Sequence, residues 1–483
     1  MNDNMDSDEV QQTDGSALEE STSSPNQRMT RYQILTLMSI ASVNFSSMIC
    51  YSILGPFFPQ EAVKKGASQT VIGLIFGCYA LCNLMGSLVL GKYIVQIGAK
   101  FMLISGLFVS SVCTILFGLL DKVPDGATFI ILCFIIRSVD AVGFSAAMTS
   151  SFAVSAKVFP NNIATVLGSL EIFTGLGLIL GPPIGGWLYQ SFGYEVPFMA
   201  LGCFLFLMVP FNMYILPSFA ADPSKDSFFR LFTHLKIVLI CFAIFTLSSG
   251  LGFLDATLSI YAIDTFDLSP GYVGLLLLGL SLPYCLASPL LGIISDRFPS
   301  TRPWFMVLGG LFTATGFWFL GPVPILQIKR SAFVIVSVNV LLVLLLLLTR
   351  SQYDTIFVSS QLWLVVFMLG IIGFSLSMTA IPTFPEILDC AYENGFEEGL
   401  STLGLVSGLF GAVWSFGMFC GPTLGGFITQ QLSFEWAASV QGGLDFLAAF
   451  FLGVYFLCQR TRQERAPQIQ NERPSDEATH LLT

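Results

Sequence analysis

Gly168–Gly186 reads GSLEIFTGLGLILGPPIGG, and its small residues Gly168, Gly177, Gly181-Pro182 and Gly185-Gly186 return at Gly408, Gly417, Gly421-Pro422 and Gly425-Gly426. Every matched position is displaced by 240, so one helix has been used twice. Small residues at such intervals line one helix face and let a neighbouring backbone come close, which is how helices pack in lipid without a hydrophobic drive between them. Among the positions between these small residues one difference stands out, where Glu171 of the first copy becomes Gly411 in the second.

Around these two stretches the chain is 54% apolar and 11% charged, with a mean hydropathy of +0.76, outside the range of soluble domains. Apolar runs of spanning length lie near 32–55, 71–91, 100–120, 128–150, 163–187 and 196–217, then near 236–263, 272–294, 303–321, 361–383, 402–428 and 436–457. The expected fold is an all-α membrane protein with twelve transmembrane helices in two pseudo-symmetric six-helix halves. The chain divides into a disordered N-terminal tail (1–31), a first half (32–217), a polar connector (218–235), a second half (236–457) and a C-terminal tail (458–483). In a twelve-span arrangement Arg28, Arg31, Lys92, Lys100, Lys157, Lys225, Arg230, Lys236, Arg297, Arg302, Arg460, Arg462 and Arg465 fall on one side, which puts both termini in the cytosol.

The halves match elsewhere too. GFSAAMT (143–149) is echoed by GFSLSMT (373–379), Glu195 by Glu435, and the loop GKYIVQIGAK from Gly91 by GIISDRFPST from Gly292. Two related halves with a site between them at mid-membrane are the plan of a transporter. The displacement changes from 201 at Gly91/Gly292 to 230 at Gly143/Gly373, an excess of 29 residues located near 330–359. This insert contains AFVIVSVNVLLVLLLLLT. A crossing there would invert every later helix and strand Arg460, Arg462 and Arg465 on the wrong side. It reads first as a lumen-side hairpin or peripheral apolar insert, or as a variant or mistaken reading frame, with a thirteenth crossing as the remaining alternative.

The doubled glycine pattern resembles the fifth helix of proton antiporters of the major facilitator superfamily, which implies that superfamily's fold and makes the pattern a packing and gating element. The loop between the second and third spans departs from the family, with Val95 and Gln96 where Asp and Arg are usual, while its second copy keeps Asp296 and Arg297. SVNFSSMICYSILGPFFP (42–59), ATVLGSLEIFTGLGLILGPP (164–183), PTFPEIL (382–388) and ENGFEEGLSTLGLVSGL (393–409) are similar to the polyamine branch of the vesicular amine transporter family. That resemblance implies proton-coupled loading of polyamines such as spermine and spermidine into secretory or synaptic vesicles, endosomal or lysosomal membranes being the alternative.

Ionisable residues inside spans are costly and are therefore functional candidates. Glu171, at mid-span, is the first candidate for proton coupling, the alternative being an interhelical hydrogen bond from a permanently protonated acid. Arg137 and Asp140 stand three residues apart and can pair on one helix face; they form either a structural ion pair or, by resemblance, part of the coupling machinery. Asp255, in GFLDATLS, matches the seventh-helix acid of vesicular amine transporters and is a candidate for the cationic substrate, against a packing role. By the same resemblance Ser47 and Gly411 lack the acids of monoamine carriers. Glu386 could receive an entering polycation or be a solvated helix-end charge, and Asp445 has no assigned role. A linear polycation needs separated carboxylates and aromatic faces, which Asp140, Glu171, Asp255, Tyr51 and Tyr79 would supply, although tyrosines here also serve packing.

The 11 cysteines show no paired or metal-ligand spacing, and neither phosphate-loop nor Ser-His-Asp patterns occur, so no enzyme activity, cofactor or metal is expected. The net charge of -10 is concentrated partly in the tails, with Asp3, Asp6, Asp8, Glu9, Asp14, Glu19 and Glu20 at the N-terminus, and no nucleic-acid partner is expected. At the C-terminus Glu477, Leu481 and Leu482 fit an acidic dileucine signal for sorting adaptors, or an uninterpreted tail. Besides polyamine–proton antiport, the sequence allows an organic-cation, drug or monoamine antiporter on the same fold, or a non-transporting receptor or scaffold.

Overall fold

The computed structural model describes residues 29–54, 58–217, 228–266, 270–321 and 353–471. Its long helices are α1 (Arg31–Ser52), α2 (Gln69–Ile97), α3 (Ala99–Leu119), α4 (Ala127–Val158), α5 (Ile163–Phe192), α6 (Glu195–Ile215), α7 (Leu235–Phe266), α8 (Pro270–Arg297), α9 (Arg302–Leu320), α10 (Tyr353–Glu393), α11 (Leu400–Gln431) and α12 (Phe434–Asn471). All twelve are long and apolar enough to cross a bilayer, and no strand occurs among the described residues. The sorting residues Glu477, Leu481 and Leu482 lie outside the described residues, as do 1–28, 218–227 and most of the insert.

Helix packing repeats between the halves. In the first half α1 packs on α5 and α6, α2 on α4, and α3 on α4 and α6; in the second α7 packs on α11 and α12, α8 on α10, and α9 on α10 and α12. The halves meet through two equivalent seams, α5 with α8 and α2 with α11. Even single contacts recur. A Cβ on Gly106 of α3 would lie 2.5 Å from the Gly143 carbonyl and 2.8 Å from the Ala147 nitrogen, and one on Gly309 of α9 would lie 2.9 Å from the Ser375 carbonyl. The echoed GFSAAMT and GFSLSMT segments are thus the partners of one close crossing.

The glycine helices work at both ends. A Cβ on Gly177 would lie 2.8 Å from the Phe45 carbonyl and 2.9 Å from the Ile49 nitrogen of α1, and one on Gly417 would lie 2.6 Å from the Phe245 carbonyl and 2.9 Å from the Ser249 nitrogen of α7. Gly181 and Gly421 continue these crossings one turn on, at Ile49 and at Ser249 and Phe253. Towards the helix starts the same faces turn to the other half, Gly168 meeting Ser288 and Pro289 of α8, and Gly408 meeting Gly91 of α2. Gly186 and Gly426 do not share this packing, because a Cβ at either meets open space. Pro182 is half-buried inside α5, while Pro422 packs on Gly252 of α7.

Several helices outrun their apolar cores. α4 continues to Val158 rather than ending near 150, and α10 to Glu393 rather than near 383, because small and polar residues there remain buried between neighbours. α12 extends to Asn471 through a run rich in good helix formers, so the start of the expected C-terminal tail is helical. Within the connector, Phe228–Phe232 forms a short helix whose Arg230 donates to the Asn394 carbonyl at 2.9 Å. Residues 353–359, assigned to the insert from repeat arithmetic, belong to α10. α9 and α10 run antiparallel, Gly309 against Thr379 and Gly316 against Ile372, which brings the end of α9 and the start of α10 to the same face of the bundle.

Gly177→Leu or Gly417→Leu must push a side chain into backbone, an overpacking cost of about 1–3 kcal/mol or more. Either variant is expected to lower the melting temperature and the monodisperse yield in detergent, with Gly186→Ala unchanged.

Candidate functional site

The α5–α8 seam carries a charge lock at the face where both chain ends emerge. The N-terminus of α5 has no capping side chain of its own, since Asn162 makes no cap hydrogen bond. Asp296, at the end of α8 in the other half, accepts instead from the Ala164 nitrogen at 3.2 Å and the Thr165 nitrogen at 2.7 Å. An acid at a helix N-terminus is favoured by the helix dipole, by up to about 2 kcal/mol when partly buried. Arg302 of α9 holds Asp296 at 3.3 Å and Asp389 of α10 at 2.6 Å. Arg297, the other residue of the loop pattern, is exposed and lies over its neighbour Phe298, and it is Arg302 that pairs with Asp296. Sequence reasoning missed Arg302 because it opens the next helix, outside the loop pattern.

No equivalent acid stands at the α2–α11 seam, where Val95 and Gln96 replace it. There the closure is apolar, a Cβ on Gly91 falling 2.6 Å from the Gly404 carbonyl and 2.8 Å from the Gly408 Cα. Between the seams, Phe152 of α4 stacks on Phe384 of α10 at 5.7 Å and lies 5.2 Å from Phe410 of α11, which continues to Trp414 at 6.1 Å. This aromatic plug between the halves has no sequence signature in a chain with 46 phenylalanines. Glu386 beside it is neither solvated nor open to a cation: it is buried and paired with Lys236 of α7 at 2.7 Å.

Above the plug, Tyr51 of α1, Tyr79 of α2 and Phe144 of α4 form a cluster with ring centroids 5.5–6.2 Å apart. The Arg137 guanidinium lies 4.2 Å over the Tyr79 ring and pairs with Asp140 at 3.1 Å, its side chain 3% exposed and that of Asp140 16%. Asp255, from α7 in the other half, is exposed and lies within the spanning stretch Leu235–Leu258, three residues from its end. Glu171 sits at the α5–α8 seam, half-buried, its carboxyl interacting with Tyr284 of α8. Tyr284 was not among the expected site residues; its position on α8 is unremarkable until α8 is set against α5. At the equivalent place in the other seam Gly411 meets Ser87 of α2. Among the described residues no Lys, Arg or His pairs with Glu171 or Asp255. Ser47 is buried on α1.

A sequence profile of the Major Facilitator Superfamily matches residues 40–388. The chain belongs to that superfamily. It is a transporter, as are the relatives to which it is similar. It is 54% identical to the MFS-type transporter SLC18B1 of Homo sapiens, over 94% of this chain and 93% of that protein, and 53% identical to the protein of the same name in Mus musculus, over 96% and 95%. The resemblance to the vesicular amine transporters holds at lower identity, 23% to the synaptic vesicular amine transporter of Homo sapiens over 82% of this chain and 69% of that protein. In solved structures the fold matches the human organic anion transporter MFSD10 (TETRAN), with a TM-score of 0.62 at 12% identity, covering 88% of this chain and all of that one.

At the opposite face of this superfamily member, Lys64 pairs with Glu61 at 2.7 Å, Lys65 with Asp125 at 3.2 Å and Lys122 with Glu195 at 3.2 Å. Glu61, on the short helix Phe58–Lys64, also accepts from the Tyr189 hydroxyl of α5. Burial pushes the Glu61 carboxyl up, but the bonds from Lys64 and Tyr189 outweigh it and hold the carboxyl below its usual range. A depressed acid stabilises above the unfolded value, about 4.3, and that stability is lost as pH falls through the folded value.

Two outcomes are expected. Glu61→Gln lowers the melting temperature near pH 7, and the difference from the intact chain shrinks below about pH 4. Asp296→Ala or Arg302→Ala frees the N-terminus of α5, so a cysteine introduced at Phe152 becomes more rapidly labelled by a membrane-impermeant thiol reagent applied from the face bearing the termini.

Proposed function

We propose that this transporter exchanges lumenal protons for cytosolic organic amines, polyamines foremost, and so loads acidic secretory or synaptic vesicles. The observation that carries the reading is the pair of intramembrane acids without a cation of their own, Glu171 in one half and Asp255 in the other. Asp140 is a third acid in the same region, already paired with Arg137. A carboxylate within a membrane-spanning helix needs counter-charge, and either a proton or an ammonium group satisfies that need. Competition between the two for shared acids is the coupling. Separated acids with the Tyr51, Tyr79 and Phe144 rings between them suit a long cation with several ammonium groups better than a compact monoamine. Ser47 and Gly411, where monoamine carriers have acids, point the same way.

In the proposed cycle Asp255 and Asp140 hold the amine, Glu171 carries the exchanged proton, and Arg137 sets the charge seen by Asp140. Tyr51 and Tyr79 line the amine's path. The charge lock, the aromatic plug and the glycine crossings at Gly168 and Gly408 close the cytosolic side, and their release gives alternating access. Both termini face the cytosol, where Glu477, Leu481 and Leu482 would meet sorting adaptors. The names of the vesicular amine and acetylcholine transporters among its relatives support an amine substrate and a vesicle membrane.

The test is uptake of radiolabelled spermidine and serotonin into proteoliposomes with an acidic interior. Gradient-driven spermidine uptake exceeding serotonin uptake is expected, falling at least tenfold in Asp255→Asn and losing its dependence on the gradient in Glu171→Gln. Serotonin uptake exceeding spermidine uptake, or uptake indifferent to the gradient, would overturn the reading.

A further inference from the structure

One intramembrane acid stands apart from the inter-half site. Asp445 of α12 is 2% exposed and lies inside the second half, where α12 packs on α7, α9 and α11. Its Oδ2 accepts from Gln441 Nε2 at 3.3 Å; the same amide donates to the Thr246 carbonyl of α7 at 2.8 Å, and Gln441 Oε1 accepts from Ser249 Oγ of α7 at 3.2 Å. Beside the carboxyl is a small cavity lined by Thr246, Gly310 and Thr313 of the neighbouring helices and by Thr379 of α10. It has room for about one water.

The polar groups around Asp445 and its cavity are uncharged: Gln441 from its own helix, which donates to it, and Thr246 from α7, Thr313 from α9 and Thr379 from α10 in the cavity wall, the rest of which is apolar. α11 has no charged residue along its length. The charges on the other packed helices are remote. Lys236 and Asp255 are ten and nine residues along α7 from Thr246, about 14–15 Å at the helical rise. Arg302, Glu386 and Asp389 are engaged in ion pairs at the end of the bundle, and Glu435 begins α12 ten residues away. Among the described residues nothing offers Asp445 a positive charge. The donor set also disfavours a metal cation, because Gln441 turns its NH₂ and not its carbonyl oxygen to the carboxyl.

We propose that Asp445, with Gln441, Thr246 and the adjoining cavity, is a second proton-binding site, buried within the second half and separate from the acids between the halves. The proton is the counter-charge that the site lacks, and a water in the cavity gives it a route. Gln441 joins the site to α7 through Thr246 and Ser249, so a change of protonation at Asp445 acts on the helix that carries Asp255. This role in transport rests on the proton-coupled reading above, whereas proton binding itself is measured without any transport.

The experiment is infrared difference spectroscopy of the full chain in lipid nanodiscs, titrated from about pH 5 to about pH 9, a window that brackets the range in which buried carboxyls titrate, with Asp445→Asn and Gln441→Leu alongside. A protonated-carboxyl band that titrates in the intact chain, is lost in Asp445→Asn and has a displaced midpoint in Gln441→Leu is the expected result. Asn copies the shape of the neutral acid; should that variant fail to fold, the displacement in Gln441→Leu decides alone. A band constant across the range, one unaltered in both variants, or one that follows Na⁺ concentration in place of pH would overturn the proposal. Spermidine uptake in the intact chain separates the two readings: its absence counts against the antiporter, and the infrared result still stands or falls by itself.

Discussion

Contact between backbones at glycine is the constraint on which this structure depends. In lipid an apolar side chain gains little by moving from tail to helix, so the free energy of association has to come from close approach. Gly177 and Gly181 seat α5 on α1, Gly417 and Gly421 seat α11 on α7, and at each position a Cβ would stand within about 3 Å of neighbouring backbone. The same two helices then cross to the opposite half at Gly168 and Gly408. Each glycine helix is therefore both a core element of its own half and one side of a seam between the halves.

That double duty explains why the charged groups are distributed unevenly over a symmetric frame. Two equivalent seams would close with equal strength if their sequences matched. Instead one seam is fastened by Asp296 on the N-terminus of α5, with Arg302 bridging to Asp389, and the other by bare glycine contact between α2 and α11. The fastened seam is also the one that holds Glu171 against Tyr284, while its counterpart holds Gly411 against Ser87. The Glu171 carboxyl and the charge lock thus lie along the same pair of helices, α5 and α8, about two turns of α5 apart.

Electrostatics divides the remaining intramembrane charges into two kinds. Lys236 with Glu386 and Arg302 with Asp389 are satisfied within the protein, which suits a structural role near the bundle end. Arg137 with Asp140 is satisfied in part, with Asp140 still reachable beside the aromatic cluster. Glu171, Asp255 and Asp445 have no cation beside them among the described residues, Asp445 being buried, Glu171 half-buried and Asp255 exposed.

Hydropathy, the displacement of 240 and the order of the glycines already determined the twelve helices, the two halves and the helices that cross most closely. These are local or periodic properties, and a bilayer leaves few alternatives for a chain this apolar. Glu171, Asp140 and Asp255 were also legible, since a lone acid in an apolar run is conspicuous. What the linear order could not carry was partnership across the seams: Tyr284 beside Glu171, Lys236 on Glu386, Arg302 in place of Arg297, and Phe152 stacked on Phe384. Nor could it separate Gly177, pressed on α1, from Gly186, which meets nothing. Those distinctions depend on which face of one helix meets which face of another, a matter of rotation and offset between distant segments, and only the folded bundle decides it.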